Sequence, residues 1–383
     1  MKIIRKTYIQ KAICLLTLST LALGAKNTVE IPSASDLGVK DFQAQLSIGL
    51  NEQTGRLEKG TINKTKIKIQ AELEMNDFVS FHGRGGIKYE TGSTQSVFNE
   101  RRNTPDSNVI YDYAFVRTNL FANTVKLDFG SLDNNPEKMG SFIQTGITSV
   151  GVQENFKYES KYFDIELNAI QSKPQNDELS NRIESVEQGS PKFFYEYIKA
   201  DLKLNRIKLH ATYGQYAYDD LSNSVAFQEQ FMGNSIVQGD EATSRFIYKY
   251  KGTQLLFGAS FKLSEFITLR PSYEVVENDN APSTQNMATN QQLIIQTSIL
   301  DTFVELHFNN FKNERDVTPT FYMSSPFTAN TEGSGAKVVV EYNGFETSFG
   351  HINRKEVKEV VDLKFSDDEK VYFIEIRKNY DFI

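Results

Sequence analysis

Thr65-Lys66-Ile67-Lys68-Ile69-Gln70-Ala71-Glu72-Leu73 alternates without a break. Thr65, Ile67, Ile69, Ala71 and Leu73 fall on one side, and Lys66, Lys68, Gln70 and Glu72 on the other. A period of two is that of an extended strand, whose successive side chains point to opposite faces. An amphipathic helix would repeat every 3.6 residues instead. Outward from this stretch the pattern recurs. Asp41–Leu50 sets Phe42, Ala44, Leu46, Ile48 and Leu50 against Gln43, Gln45, Ser47 and Gly49. Val79–Tyr89 sets Val79, Phe81, Ile87 and Tyr89 against Ser80, His82, Arg84 and Lys88. The aromatic content, 28 Phe and 18 Tyr with no Trp, suits strands.

Alternation alone is shared by a soluble sandwich and a membrane barrel. The punctuation separates them. Tight turns are predicted near 121–123, 159–161, 204–205, 263–265, 300–301 and 343–344. Long polar stretches rich in Asn, Asp, Ser, Gly and Pro run over 91–107, 132–151, 173–190, 218–241, 277–289 and 313–334. Short turns at one end and long loops at the other describe a transmembrane antiparallel β-barrel, an all-β fold. A direct count gives 18 strands but puts two long loops at the tight-turn end. Reading Ser244–Leu263 as one long strand and 356–369 as a hairpin at the loop end gives about 16, with every long loop on one side. The preferred number is therefore 16, with 18 as the alternative. Pro271 lies inside the strand predicted at 267–276 and lacks an N–H, so a bulge is expected there.

The two ends agree with a membrane destination. Residues 1–11 carry Lys2, Arg5, Lys6 and Lys11 and no acid, followed by an apolar run from Ala12 to Leu23 and small residues at 22 and 24. That is the pattern of a secretory signal peptide, 1–24, leaving 25–383 as the barrel. The run is too short to span a bilayer, which needs ~20 residues. Losing those four cations takes the formal net charge from −7 to −11 and removes the one cysteine, Cys14. The acidic balance argues against nucleic acid as a partner. A mean hydropathy of −0.43 is compatible with a barrel, whose strands average lipid-facing and water-facing residues. At the other end Tyr372, Ile374, Ile376, Lys378, Tyr380 and Phe382 share one face of a final strand. A terminal aromatic ladder is what the barrel-assembly machinery reads, so Phe382 is its expected contact, although Ile383 follows it.

Around the predicted fourth and fifth strands the chain reads Tyr113-Ala114-Phe115-Val116-Arg117-Thr118-Asn119-Leu120, a short turn, then Val125-Lys126-Leu127-Asp128-Phe129-Gly130-Ser131. With Tyr195-Glu196-Tyr197 and Tyr380-Asp381-Phe382, this resembles the Gram-negative outer-membrane diffusion porins. The resemblance implies a water-filled channel for passive diffusion of small hydrophilic solutes and ions. It also implies an outer-membrane location among lipids and lipopolysaccharide, and a homotrimer. It further implies that the loop after the fifth strand, 132–151, folds into the lumen with Asp133 and Glu137 opposite basic groups on the early strands. Lys138 dilutes that acidity, and Met139-Gly140-Ser141-Phe142 stands where the family has an acidic-aromatic-Gly-Gly motif. The other reading of 132–151 is an ordinary exposed loop.

The residues themselves point to the same wall. Lys66, Lys68, Arg84 and Lys88 alternate along two successive strands and must share one compartment. A lipid-facing Lys or Arg costs ~2–4 kcal/mol at midplane, so they are expected to face a wet lumen. His82 and Asp112 are assigned to the same pore wall; otherwise the cations only solvate that wall or pair with Glu72. No catalytic residue, metal or cofactor is expected. The four histidines, His82, His210, His307 and His351, lack ligand spacing. Ser80 and His82 share a face, but no Gly-x-Ser-x-Gly motif or phosphate loop occurs. The rivals are a substrate-selective, sugar-type channel, a non-conducting barrel serving as adhesin or structural protein, and a barrel hydrolase using Ser80 and His82.

Overall fold

The computed structural model describes residues 38–54, 58–96, 100–101, 105–121, 124–133, 139–143, 149–175, 190–323, 327–357 and 368–382. The expected signal segment 1–24 lies outside the described residues. Sixteen antiparallel strands form the barrel. They are β1 (Val39–Thr54), β2 (Glu58–Asn76), β3 (Val79–Ser96), β4 (Asp106–Leu120), β5 (Val125–Leu132) and β6 (Ser149–Glu159). Next come β7 (Phe163–Pro174), β8 (Lys192–Leu204), β9 (Ile207–Asp219), β10 (Tyr250–Lys262) and β11 (Ile267–Asn278). The last are β12 (Met287–Ile299), β13 (Thr302–Asn313), β14 (Thr331–Tyr342), β15 (Phe345–Glu356) and β16 (Glu369–Asp381). Each pairs with its neighbours in chain order, and β1 also pairs with β16, from Gln43 opposite Asp381 to Thr54 opposite Lys370. Closure leaves no strand edge open. Phe382 donates its N–H to the Phe42 carbonyl at 3.0 Å, and the two rings lie 5.4 Å apart at that seam.

The strand number is 16 and not 18. The turns predicted from sequence join β4–β5, β6–β7, β8–β9, β10–β11, β12–β13 and β14–β15 at one end. At Asn343-Gly344 both residues have positive φ, 52° and 74°, as a two-residue hairpin turn requires. Two expectations need correction. The long strand drawn from Ser244 starts at Tyr250; Arg245–Phe246 instead pairs with Ile236–Val237 in a small ladder inside the loop. No bulge forms at Pro271. Pairing of β10 with β11 stops at Gly258–Ser272 and resumes at Phe261–Leu269 in the same register. The missing N–H therefore interrupts the ladder without inserting a residue. A register shift falls instead between β3 and β4, where Arg84 faces Tyr113 and Gly85 faces Tyr111, so Asp112 is the extra residue.

The outer face carries long apolar rows, with a polar row at Glu154, Glu196 and Gln215 among them. Ile67, Ile87 and Val109 make one exposed row across β2, β3 and β4. Phe156, Leu167, Ile198, Tyr213 and Leu255 make another across β6–β10. A barrel of this kind has a lipid-facing band ~25 Å tall. The packed core lies inside the barrel, at the long-loop end and against one side. Leu132, Met139, Phe142, Ile143, Phe193, Tyr195, Tyr216, Tyr218, Val225, Tyr250, Val317 and Tyr322 belong to it.

Candidate functional site: the two walls of the barrel interior

The inward side chains of β1–β5, β15 and β16 build a charged wall. Lys66, Lys68, Arg84 and Lys88 all lie on it, because the register places them on the face opposite the outward row at Ile67 and Ile87. They do not form a bare cationic row. Lys68 Nζ lies 2.6 Å and Arg84 Nε 3.1 Å from Asp112 Oδ2. The bulge at Asp112 aims that carboxylate between them, a use to which bulges are often put. Lys88 and Lys64 lie 3.2 and 3.4 Å from Glu90. Arg117 donates two hydrogen bonds to Asp128, at 2.8 and 2.7 Å. Arg377 bridges Glu375 at 2.7 Å and Glu346 at 3.3 Å. Of the four expected cations, Lys66 alone has no ion pair among the described residues. Interleaving acids with bases makes this wall polar and nearly charge-balanced; the Glu90 and Asp128 carboxylates are buried in their pairs, while Asp112 and Glu346 stay partly exposed.

His82 sits at the tight-turn end of this wall. Its ring stacks on Phe115 with centroids 4.9 Å apart, its Nε2 lies 2.8 Å from Ser80 Oγ, and its Nδ1 lies 3.6 Å from Glu72. The order Ser80–His82–Glu72 has the outline of a nucleophile, base and orienting acid. Ser80 is buried, 4% exposed. Among the described residues no group of three His, Cys, Asp or Glu could hold a metal ion.

The opposite wall is aromatic. At the loop end of β8–β10, Phe193, Tyr195, Tyr197, Tyr216, Tyr218 and Tyr250 face inward and are buried. Three loop segments cover them. The first is 139–143, from the loop after β5. Its Met139 carbonyl accepts from Gln254 Nε2 at 2.9 Å, and Ser141 N–H donates to both oxygens of Glu274 at 3.0 and 2.9 Å. Asn290 Nδ2 donates to Ser141 Oγ at 2.9 Å, and Thr318 Oγ1 to the Phe142 carbonyl at 3.0 Å. So this part of 132–151 folds inward, and it docks on β10–β12 rather than on the early strands. Gly140 has φ +76°, and a Cβ there would overlap Gln254 Nε2 and Glu274 Oε1. Asp133 is exposed at the end of β5; Glu137 and Lys138 lie outside the described residues.

The second and third segments are the loop after β9, with helix α1 (Asn223–Glu229), and the described parts of the loop after β13, residues 314–323 and 327–330. Ser222 caps α1, its hydroxyl accepting from Val225 N–H at 3.3 Å. Asp316 accepts from Ser235 N–H and Oγ at 2.8 and 2.6 Å, and Asn234 Nδ2 donates to the carbonyls of Arg315 and Thr318. Glu229 accepts from Phe321 N–H across the seam between the two loops. Glu229 is fully buried, which pushes its carboxyl up to about 8; the Phe321 N–H opposes this and nearby Asp316 adds to it. The aromatic wall was missed at the sequence level. Its signal was present: Phe193, Tyr195 and Tyr197 occupy every second position, and Tyr216 and Tyr218 do the same.

No family model and no curated protein matches the chain. Solved structures do. Pseudomonas putida OprB, in its high-pH structure, superposes with a TM-score of 0.55 at 11% identity, covering 91% of this chain and 95% of that one. Salmonella typhi OmpF, solved with daunomycin, gives 0.50 at 12% identity, covering 90% and 99%. These neighbours are outer-membrane porins, and at such identities the likeness shows the fold, a porin-type barrel.

Proposed function

We propose that this protein is an outer-membrane channel through which small hydrophilic solutes and ions diffuse passively. The observation that carries the reading is the charged inner wall. Lys66, the Lys68–Asp112–Arg84 cluster, Lys88 and Arg117–Asp128 line one side of a closed barrel whose outer face carries long apolar rows. Such a wall needs water beside it, and opposed fixed charges there screen solutes by charge. The inward segment 139–143 narrows the same space from the other side, and Asp133, Glu137 and Lys138 belong to the same loop. The tight turns face the periplasm, the long loops the exterior, and the mature chain begins after residue 24 and assembles as a homotrimer. No chemical step is assigned to the barrel.

The test is single-channel conductance of the refolded protein in a planar bilayer, with the reversal potential measured in a salt gradient. Stepwise, unsaturated conductance is expected. Replacing Lys66, Lys68, Arg84 and Lys88 by Glu is expected to move the reversal potential towards cation preference. A silent bilayer overturns the channel reading. An unchanged potential in the variant removes the charged wall from selectivity.

A further inference from the structure

We infer that the tight-turn rim between β6 and β10 carries a binding site for a phosphate group. Three connections meet there. The Lys203 N–H donates to the Tyr162 carbonyl at 2.7 Å, tying the turn after β8 to the turn after β6. The Lys262 N–H donates to the Arg206 carbonyl at 2.8 Å, tying the end of β10 to the turn before β9. Between them lies a cavity of about 470 Å³ lined by Lys161, Lys203, Arg206, Lys208 and Lys262, with the Ser260 hydroxyl and Asn205 beside them. Five cations thus share one hollow whose walls are cross-linked by backbone hydrogen bonds.

The charge balance decides what the hollow takes. Lys203 is matched by Asp164 at 2.6 Å and Lys208 by Asp201 at 3.0 Å. Lys161, Arg206 and Lys262 have no carboxylate within ion-pair distance among the described residues; Lys161 lies over the Tyr162 ring, 5.4 Å from its centroid. Three uncompensated cations, one of them a guanidinium fork, match the charge and the acceptor geometry of a phosphate. They do so in a protein whose formal net charge is −7, so the concentration of positive charge is local.

The remaining lining is apolar: Leu204 and Ile207, which the register places towards the outer face, and Tyr162 in the turn after β6. Tyr162 and Phe266 stand well exposed at the same end, as an interfacial aromatic girdle does. A hollow with cations inside and apolar residues on its lipid side suits the phosphate of a phospholipid headgroup. A phosphorylated solute leaving the channel offers the same chemistry from the lumen side. This inference rests on the membrane orientation proposed above.

The experiment compares the wild type with the K161Q/R206Q/K262Q variant, both refolded into vesicles. Thermal unfolding is followed in phosphatidylcholine alone, in phosphatidylcholine with phosphatidylglycerol, and in phosphatidylcholine with added inorganic phosphate. The expected result is a higher midpoint with phosphatidylglycerol for the wild type, lost in the variant, which assigns the site to a lipid headgroup. A rise with inorganic phosphate, again lost in the variant, assigns it to a free phosphate. Equal responses of the two proteins, or no response to either anion, overturn the site while leaving the barrel reading intact. Failure of the wild type to insert into any vesicle overturns both.

Discussion

The two walls of the interior solve the same problem in opposite ways. The charged wall, on β1–β5 and β15–β16, keeps its polar groups satisfied by pairing them with each other, as in Lys68–Asp112–Arg84 and Arg117–Asp128. The aromatic wall, on β8–β10, has little to offer water. It is buried instead under 139–143, the α1 loop and the loop after β13 at 314–323 and 327–330. The first wall is held by local register; its partly exposed cluster at Asp112 is tolerant of single changes, because such ion pairs contribute little, whereas Asp128 is buried in its pair. The second depends on a few buried long-range contacts and is brittle, because a buried donor or acceptor left without a partner costs ~1–3 kcal/mol. The difference locates the moving parts: loops can leave the aromatic wall, whereas the charged wall is the strands themselves.

The sharpest way to break this contrast is at Gly140. A Gly140→Val substitution puts a branched side chain into Gln254 and Glu274 at a positive φ. Overpacking and the left-handed backbone each cost on the order of 1–3 kcal/mol. Segment 139–143 is expected to detach, raising single-channel conductance and protease sensitivity in the loop. Unchanged values of both would show that the segment does not restrict the interior.

Glu229 gives the next largest effect. Its carboxyl is raised to about 8 in the packed loops and would return to its ordinary value, 4.5, in a loop opened to water. Between those values the packed state holds a proton that the open state has lost. Packing is therefore strongest below about pH 4.5 and weakens as pH rises towards 8, by up to ~1.4 kcal/mol per unit. Hydrogen exchange at Val225 and Phe321 is expected to quicken with pH beyond its intrinsic dependence, up to about tenfold per unit. Glu229→Gln should abolish that excess; persistence of the excess in the variant would place the switch elsewhere.

On the charged wall the expected changes are electrical and small in stability. Asp112→Asn releases Lys68 and Arg84 and should move the reversal potential towards anions, with a stability loss of ~1 kcal/mol or less. Lys66→Glu should move it the other way. Shifts of the same sign would show that these side chains do not face the conducting path. Smallest of all, Ser80→Ala should leave conductance unchanged and remove only one hydrogen bond, worth ~1 kcal/mol. Loss of a lipid- or peptide-hydrolysing activity in that variant would reinstate a catalytic reading of Ser80–His82–Glu72.

What the sequence by itself determined was everything that depends on neighbours along the chain. The alternation at Thr65–Leu73, the turn at Asn343-Gly344 and the inward placement of Lys66, Lys68, Arg84 and Lys88 follow from a period of two and from local turn chemistry. The strand number, 16, followed from placing every long loop at one end, although the strand drawn from Ser244 in reaching it starts at Tyr250. Tertiary structure decided the rest, because it depends on groups far apart in sequence. Asp112 reaches Lys68 and Arg84 through a bulge that a strict alternation does not contain. Ser141 finds Glu274 at a separation of 133 residues, and Phe142 finds Thr318 at 176. Phe193, Tyr195 and Tyr197 have the pattern of any strand face. Only the loops folded back over them decide that this face is a core and not a wet wall.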